Sequence, residues 1–221
     1  MQIVSPCGHA ADRINQDNIM GKRRSPRSVR GLEGLSRVRL SEHFFLRDFL
    51  YSEVAALHGL DNIPDDPDVA IAAGEQLCQQ LLEPLQQHFG PLALRSGYRN
   101  AALNAFCNSQ GYNCSRNPAT AANHIWDMRD DRGGIGAMVT VVVPAFLPEY
   151  DATGDWRPLA WWLHDHLPYS EICFFPKLAA FNLGWREFPL QEIRSFAPPK
   201  GLLFKPGMTV PETRPYPRCL T

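Results

Sequence analysis

The run Ala137-Met138-Val139-Thr140-Val141-Val142-Val143 constrains the fold of this chain more than any other segment. β-Branched side chains are restricted at χ1 and pack well on a pleated surface, so this composition favours a strand over a helix. Pro144 follows the run and is suited to ending a strand, because it cannot donate a ladder hydrogen bond. We therefore predict a buried strand in the central part of a sheet.

Apolar residues recur at helical spacing before and after this strand. A first helix is predicted from Ser41 to about Gly59, with apolar positions at Phe45, Phe49, Leu50 and Val54. A second is predicted from Pro67 to about Phe89, with apolar positions at Leu77, Leu81, Leu82 and Leu85. Further helices are predicted at 100–109 and 155–166, and short strands at 92–95 and 171–175. Helices first and strands later predict an α+β fold, with helices packed on a small, mostly antiparallel sheet.

The two ends of the chain differ from its middle. Residues 1–39 contain eight Lys or Arg and three acidic residues. The remainder of the chain contains fourteen Lys or Arg and twenty acidic residues. The segment has little apolar periodicity, so we predict a basic extended arm. It is either a solvated, partly disordered leader or an arm that docks on an acidic protein partner in a larger assembly. Nucleic acid is a less favoured partner, because no aromatic residues alternate with the basic ones. Residues 40–187 are predicted to form the domain, and the Pro-rich residues 188–221 an extended tail.

No apolar run approaches the 18 or more residues of a membrane span, and the first ten residues do not resemble a signal peptide. We therefore expect synthesis in a cytoplasm and no membrane partner. The six cysteines form no C-x-x-C pair and are predicted to be free thiols. They are Cys7, Cys78, Cys107, Cys114, Cys173 and Cys219.

Three motifs occur in an order that resembles a known family. They are Leu40-Ser41-Glu42-His43-Phe44, Ser96-Gly97-Tyr98-Arg99 with Leu103-Asn104, and a histidine, His124, after a polar loop. Over residues 40–186 the chain resembles the zinc D-Ala-D-Ala carboxypeptidases and L,D-endopeptidases, which share a fold with the hedgehog signalling domain and include phage endolysins. The resemblance implies a substrate cleft beside Tyr98 and Arg99.

The resemblance also implies where a zinc site would lie. Members of the family bind zinc through the histidine and aspartate of S-x-H-x-x-G-x-A-x-D and through a late histidine, and a glutamate accepts a proton from the metal-bound water. His124 matches the first histidine. If Gly136 is the motif glycine, Thr140 stands at the aspartate position. Phe175 and Asn182 fall at the glutamate and the late histidine.

A second alignment keeps the strict spacing and places Asp131, seven residues after His124, at the aspartate position. The sequence after Asp131 is typical of a turn and not of a strand, so we favour the first alignment. Asp127, Asp130 and Asp131 are retained as substitute metal ligands. Glu171 is retained as a substitute base, because it shares a strand face with Phe175.

Together these replacements predict a non-catalytic relative of the peptidases, without a cofactor, that acts as a structural or binding module. A phage virion component is the predicted setting, and peptidoglycan is one possible ligand. The alternative is an active, zinc-dependent peptidoglycan peptidase that has rebuilt its site from His124, the acidic turn and Glu171.

Overall fold

The structure is a computed structural model that describes residues 22–220. Six strands form one sheet in the order β1-β2-β4-β3-β5-β6. All neighbouring pairs are antiparallel except β3 and β5, which are parallel. The strands are β1 (Ala93–Ser96), β2 (Gly136–Val142), β3 (Glu171–Phe174), β4 (Phe181–Arg186), β5 (Glu192–Ser195) and β6 (Gly201–Phe204).

The predicted β-branched strand is β2, which lies between β1 and β4. Val139 and Val141 are fully buried in the core, where helix α4 (Pro67–Leu77) packs against the strand. Thr140, between them, is half-buried on the opposite face. This alternation follows from the two-residue period of a strand, and it aims Thr140 away from the core.

The helices are concentrated in the first part of the chain, as predicted, and the α+β class is confirmed. They are α1 (Val29–Ser36), α2 (Arg47–Leu50), α3 (Glu53–His58), α4 (Pro67–Leu77), α5 (Glu83–Phe89), α6 (Ala101–Ser109), α7 (Asn117–Thr120), α8 (Leu147–Thr153) and α9 (Arg157–His166). Across residues 22–220, none of them combines the length and apolarity that crossing a bilayer requires.

The second predicted helix contains a π-helical segment, Cys78–Leu82, between α4 and α5. It ends at Phe89, as predicted, and the Gly90 that follows has a positive φ of 79°. The first predicted helix is instead divided into α2 and α3. Ser41 does not cap it; its hydroxyl donates a hydrogen bond of 2.6 Å to Oε1 of Glu83. The cap of α3 is Ser52, which accepts from the amide of Ala55.

The predicted arm is partly helical. Helix α1 lies within it, and Leu35 on this helix is only 8% exposed and packs in the core. Lys22 and Arg23 form ion pairs with Asp66 and Asp68 at the start of α4. Residues 1–21 of the arm lie outside the described part of the chain.

The predicted tail contributes two strands to the sheet. β5 pairs with β3, β6 pairs with β5, and Ile193 and Ala197 are fully buried. The domain boundary expected at residue 187 is therefore corrected, because the core extends beyond it. Only the segment after β6 runs along the surface, where Arg214 forms an ion pair of 2.7 Å with Asp165.

Candidate functional site

His124 lies in the loop between α7 and β2 and is buried, with 6% of its surface exposed. Its Nδ1 is 2.9 Å from the carbonyl oxygen of Gly97, and its own carbonyl accepts a 2.8 Å bond from the amide of Arg99. Glycine is required at position 97, since a Cβ there would lie 2.8 Å from Cβ of Phe49. The tight turn before Arg99 therefore fixes the imidazole, with Nδ1 as the protonated nitrogen.

Thr140 and Asn182 lie directly opposite each other on β2 and β4. The Thr140 hydroxyl donates a hydrogen bond of 2.7 Å to Oδ1 of Asn182. The Asn182 side chain also interacts with the ring of His124, in the direction that raises the pKa of the ring. The three positions that the first alignment relates to the zinc ligands of the peptidases thus meet in space. We refer to His124, Thr140 and Asn182 as the histidine centre.

Burial lowers the pKa of His124 to about 3, and the positive charge of Arg99 contributes in the same direction. Desolvation disfavours the charged imidazolium, so the ring is neutral at physiological pH. A neutral ring keeps one N–H donor, and the carbonyl oxygen of Gly97 accepts from it.

The donor set of the histidine centre does not fit a zinc ion. Zinc sites in proteins use at least three strong ligands drawn from imidazole, thiolate and carboxylate groups. Here one imidazole is accompanied by a hydroxyl and an amide that already bond each other. Across residues 22–220, no group of three or more His, Cys, Asp or Glu residues has an arrangement that could hold a metal ion.

Phe175, which the first alignment relates to the family glutamate, directly follows β3. Its ring stacks on Phe196 with 5.9 Å between centroids, and it lines a cleft of about 570 Å³ that Thr140 also lines. An aromatic ring cannot accept a proton. The cleft beside the histidine centre therefore has an apolar wall at the position that the first alignment relates to a base.

Asp127 holds two parts of the domain together through hydrogen bonds. It accepts hydrogen bonds from the amides of Asp65 (2.7 Å) and Asp66 (3.1 Å) at the beginning of α4, and from the hydroxyl of Tyr98. Burial raises the pKa of Asp127, and these hydrogen bonds act in the opposite direction. Tyr98 itself is fully buried. The structure thus places Tyr98 in the core, and not at a substrate cleft as the resemblance implies.

The other predicted acidic ligands lie apart from His124. Asp130 accepts from the amides of Arg132 and Gly134 in a turn, and Asp131 is exposed. Glu171, the substitute base, forms an ion pair of 3.3 Å with Arg186, whose other guanidinium nitrogen is 3.9 Å from Asp130. Glu171 begins β3, whereas the cleft lies beyond its end.

Arg99 points towards a disulfide that the sequence did not predict. Cys107 and Cys114 are bonded to each other, which corrects the expectation of six free thiols. Nη1 of Arg99 contacts both sulfur atoms, while Nε is buried and has no hydrogen-bond partner within the described residues. Burial lowers the pKa of Arg99. One signal was present, because Gly111 favours a chain reversal between the end of α6 and Cys114.

The cleft residues Arg95, Lys177 and Leu178 were also missed by sequence reasoning, since they belong to no motif and lie on separate segments. The fold brings these three residues to one side of the histidine centre. Thr140 belongs to both the cleft and the histidine centre. No protein-family model, curated protein or solved structure matches this chain.

Proposed function

We propose that this protein is a non-catalytic relative of the zinc D-Ala-D-Ala carboxypeptidases and L,D-endopeptidases, and that it acts as a binding or structural module. The observation that carries the proposal is the hydrogen bond between Thr140 and Asn182 beside the buried, neutral His124. In the first alignment these are the three metal-ligand positions. Their contacts with one another replace contacts with a metal.

Each replacement removes a distinct part of the chemistry. Thr140 supplies no negative charge, so a divalent cation would lack the carboxylate that offsets its desolvation. Asn182 presents an amide in place of an imidazole. Phe175 cannot take a proton from water, and general-base catalysis needs a group with a suitable pKa within hydrogen-bond reach.

The active-peptidase alternative receives no support from the acidic turn. Asp127 already accepts from two backbone amides and a phenol, and Asp130 accepts from two turn amides. Moving either carboxylate to His124 would leave part-buried donors without partners, at a cost of about 1–3 kcal/mol each: the Tyr98 hydroxyl and the Asp66 amide for Asp127, and the Gly134 amide for Asp130. Glu171 is paired with Arg186 at the far end of β3.

The setting of the module remains part of the proposal. We propose a virion or similar assembly in which the basic N-terminal segment contacts an acidic protein surface. Lys22 and Arg23 are engaged with the domain itself, whereas Arg24, Arg27 and Arg30 are exposed. Removal of these three charges should weaken assembly at low salt more than at high salt.

Metal content and peptidoglycan cleavage test the central proposal. We expect the purified protein to contain no stoichiometric zinc by mass spectrometry and to leave peptidoglycan fragments intact. The double variant Thr140→Asp/Asn182→His should bind zinc measurably, because it restores a His-Asp-His set. Thr140→Asn/Asn182→Gln, of similar size but without the ligands, is the matched control. Stoichiometric zinc in the native protein, with cleavage abolished by His124→Ala, would overturn the proposal.

A further inference from the structure

The cleft beside the histidine centre is open at one end of the sheet. Its lining includes Arg95 from β1, Thr140 and Val142 from β2, and Phe175, Lys177 and Leu178 from the connection between β3 and β4. A volume of about 570 Å³ lies within the range of pockets that bind small organic molecules. The wall is mostly apolar, so the cleft suits a ligand with an apolar chain or ring.

The charges at the cleft have one sign. Arg95 and Lys177 both line it and are exposed, and neither forms an ion pair within residues 22–220. Among the residues that the structure describes, no acidic residue lines the cleft. Two unpaired cations beside an apolar wall are complementary to a ligand that carries an anionic group next to its apolar part.

The connection that forms one wall is held in an uncommon backbone conformation. Leu178 and Ala179 have φ values of 61° and 44°, in the left-handed region that non-glycine residues avoid. Two hydrogen bonds fix this bend: the amide of Phe175 donates to the carbonyl of Ala180 (2.7 Å), and Tyr150 donates to the carbonyl of Pro176 (2.8 Å). The bend leaves Leu178 46% exposed at the cleft. Backbone strain of this kind is common at ligand sites.

We propose that this cleft binds a carboxylate that carries an aliphatic or aromatic group. The apolar group lies on Val142, Phe175 and Leu178, and the carboxylate lies between Arg95 and Lys177. This assignment rests on the proposed binding function, because it uses Phe175 as a contact surface where an enzyme would need a base.

Octanoate is a suitable probe, with octan-1-ol and octylammonium as ligands of matched chain length. Titration followed by amide NMR shifts should show octanoate perturbing Thr140, Val142 and Leu178. We expect octan-1-ol to bind at least about 10-fold more weakly, since loss of one charged contact is worth roughly that factor. Octylammonium should produce no shifts at these residues.

Substitutions distinguish the contribution of the two charges to binding from that of the apolar wall. Arg95→Ala/Lys177→Ala should weaken octanoate binding at least about 10-fold and leave binding of octan-1-ol unchanged. Arg37→Ala/Arg116→Ala removes two exposed charges elsewhere and should leave both affinities unchanged. Leu178→Ala should weaken both ligands, and circular dichroism should show that each variant is folded.

Equal affinity for octanoate and octan-1-ol, shifts that map to another part of the protein, or octanoate binding insensitive to Arg95→Ala/Lys177→Ala would each overturn the assignment. None of these results concerns zinc or hydrolysis. Zinc-dependent cleavage would overturn the proposed function, whereas loss of anion selectivity would overturn only the ligand class.

Discussion

The hydroxyl of Tyr98 contacts both carboxylate oxygens of Asp127, at 3.1 and 3.0 Å. Asp127 also accepts from two amides at the beginning of α4. The two side chains thereby connect the Ser-Gly-Tyr-Arg turn to the longest helical segment. The resemblance placed Tyr98 at a substrate cleft, and Asp127 was retained as a substitute metal ligand. In the structure both belong to the framework that holds the histidine centre.

Asp127→Ala should destabilise the fold more than Tyr98→Phe. The first change leaves a buried phenol and two amides without an acceptor and should cost about 2–4 kcal/mol, whereas the second removes one donor and should cost about 1 kcal/mol. Asp131→Ala, at an exposed neighbouring acid, is the control and should change stability by less than about 0.5 kcal/mol. Chemical denaturation measures all three. A larger loss in Tyr98→Phe than in Asp127→Ala would contradict this account.

Protonation of His124 should destabilise the fold in acid. The pKa of this ring is lowered to about 3 in the folded chain, against about 6.5 when unfolded. Between these values the unfolded state binds a proton that the folded state does not. The unfolding free energy should therefore fall as pH drops through this window, by up to about 1.4 kcal/mol per pH unit.

The comparison with His124→Gln isolates this contribution, because the other titrating groups are common to both proteins. The variant should be less stable at pH 7, and the difference should shrink as the pH approaches 4. Urea unfolding at several pH values measures it. Parallel pH profiles for the two proteins would show that His124 titrates normally.

The Cys107–Cys114 bond predicts the result of a thiol titration. In denaturant without reductant, the protein should show two fewer reactive thiols than the six cysteines of its sequence. Cys107→Ser/Cys114→Ser should lower the unfolding free energy by roughly 2 kcal/mol, as expected for a short closed loop. Six reactive thiols in the denatured, unreduced protein would contradict the bond.

The two parts of the N-terminal segment should differ in their contribution to stability. Deleting residues 1–27 removes exposed ion pairs and should change the thermal midpoint little. Deleting residues 1–39 also removes the buried Leu35 and the carbonyl of Val38, which accepts from Leu46. This larger deletion should cost about 2–3 kcal/mol. Equal midpoints for the two truncated proteins would show that α1 contributes nothing.

Local patterns predicted the parts of the fold that depend on local chemistry. The β-branched run gave β2, and the Trp and Leu spacing after Asp155 gave α9. The π-helical segment at Cys78–Leu82 preserves a continuous apolar face, so periodicity alone did not distinguish it from an α-helix. β5 and β6 were missed because their short segments lie among Pro and Gly, and their pairing with β3 is a long-range contact.

The histidine centre could be predicted from the sequence only through the resemblance to the peptidase family. Thr140 and Asn182 are ordinary strand residues 42 positions apart, and their hydrogen bond depends on the register of β2 and β4. The two cations of the cleft, Arg95 and Lys177, could not be predicted even through the resemblance, because they belong to no motif and no periodicity relates them. The two positive charges come together only when the chain folds and forms this end of the sheet.

The parallel pairing of β5 with β3 has a consequence for biosynthesis. On a ribosome, β3 and β4 emerge before β5, so a nascent chain that has emerged as far as residue 187 presents β3 as an unpaired edge. An unpaired edge can template pairing with another chain, and the alternate positions Ile172 and Phe174 make this one apolar. Chains interrupted before β5 should therefore be prone to aggregation and dependent on chaperones, and completion of the last strands should end that exposure.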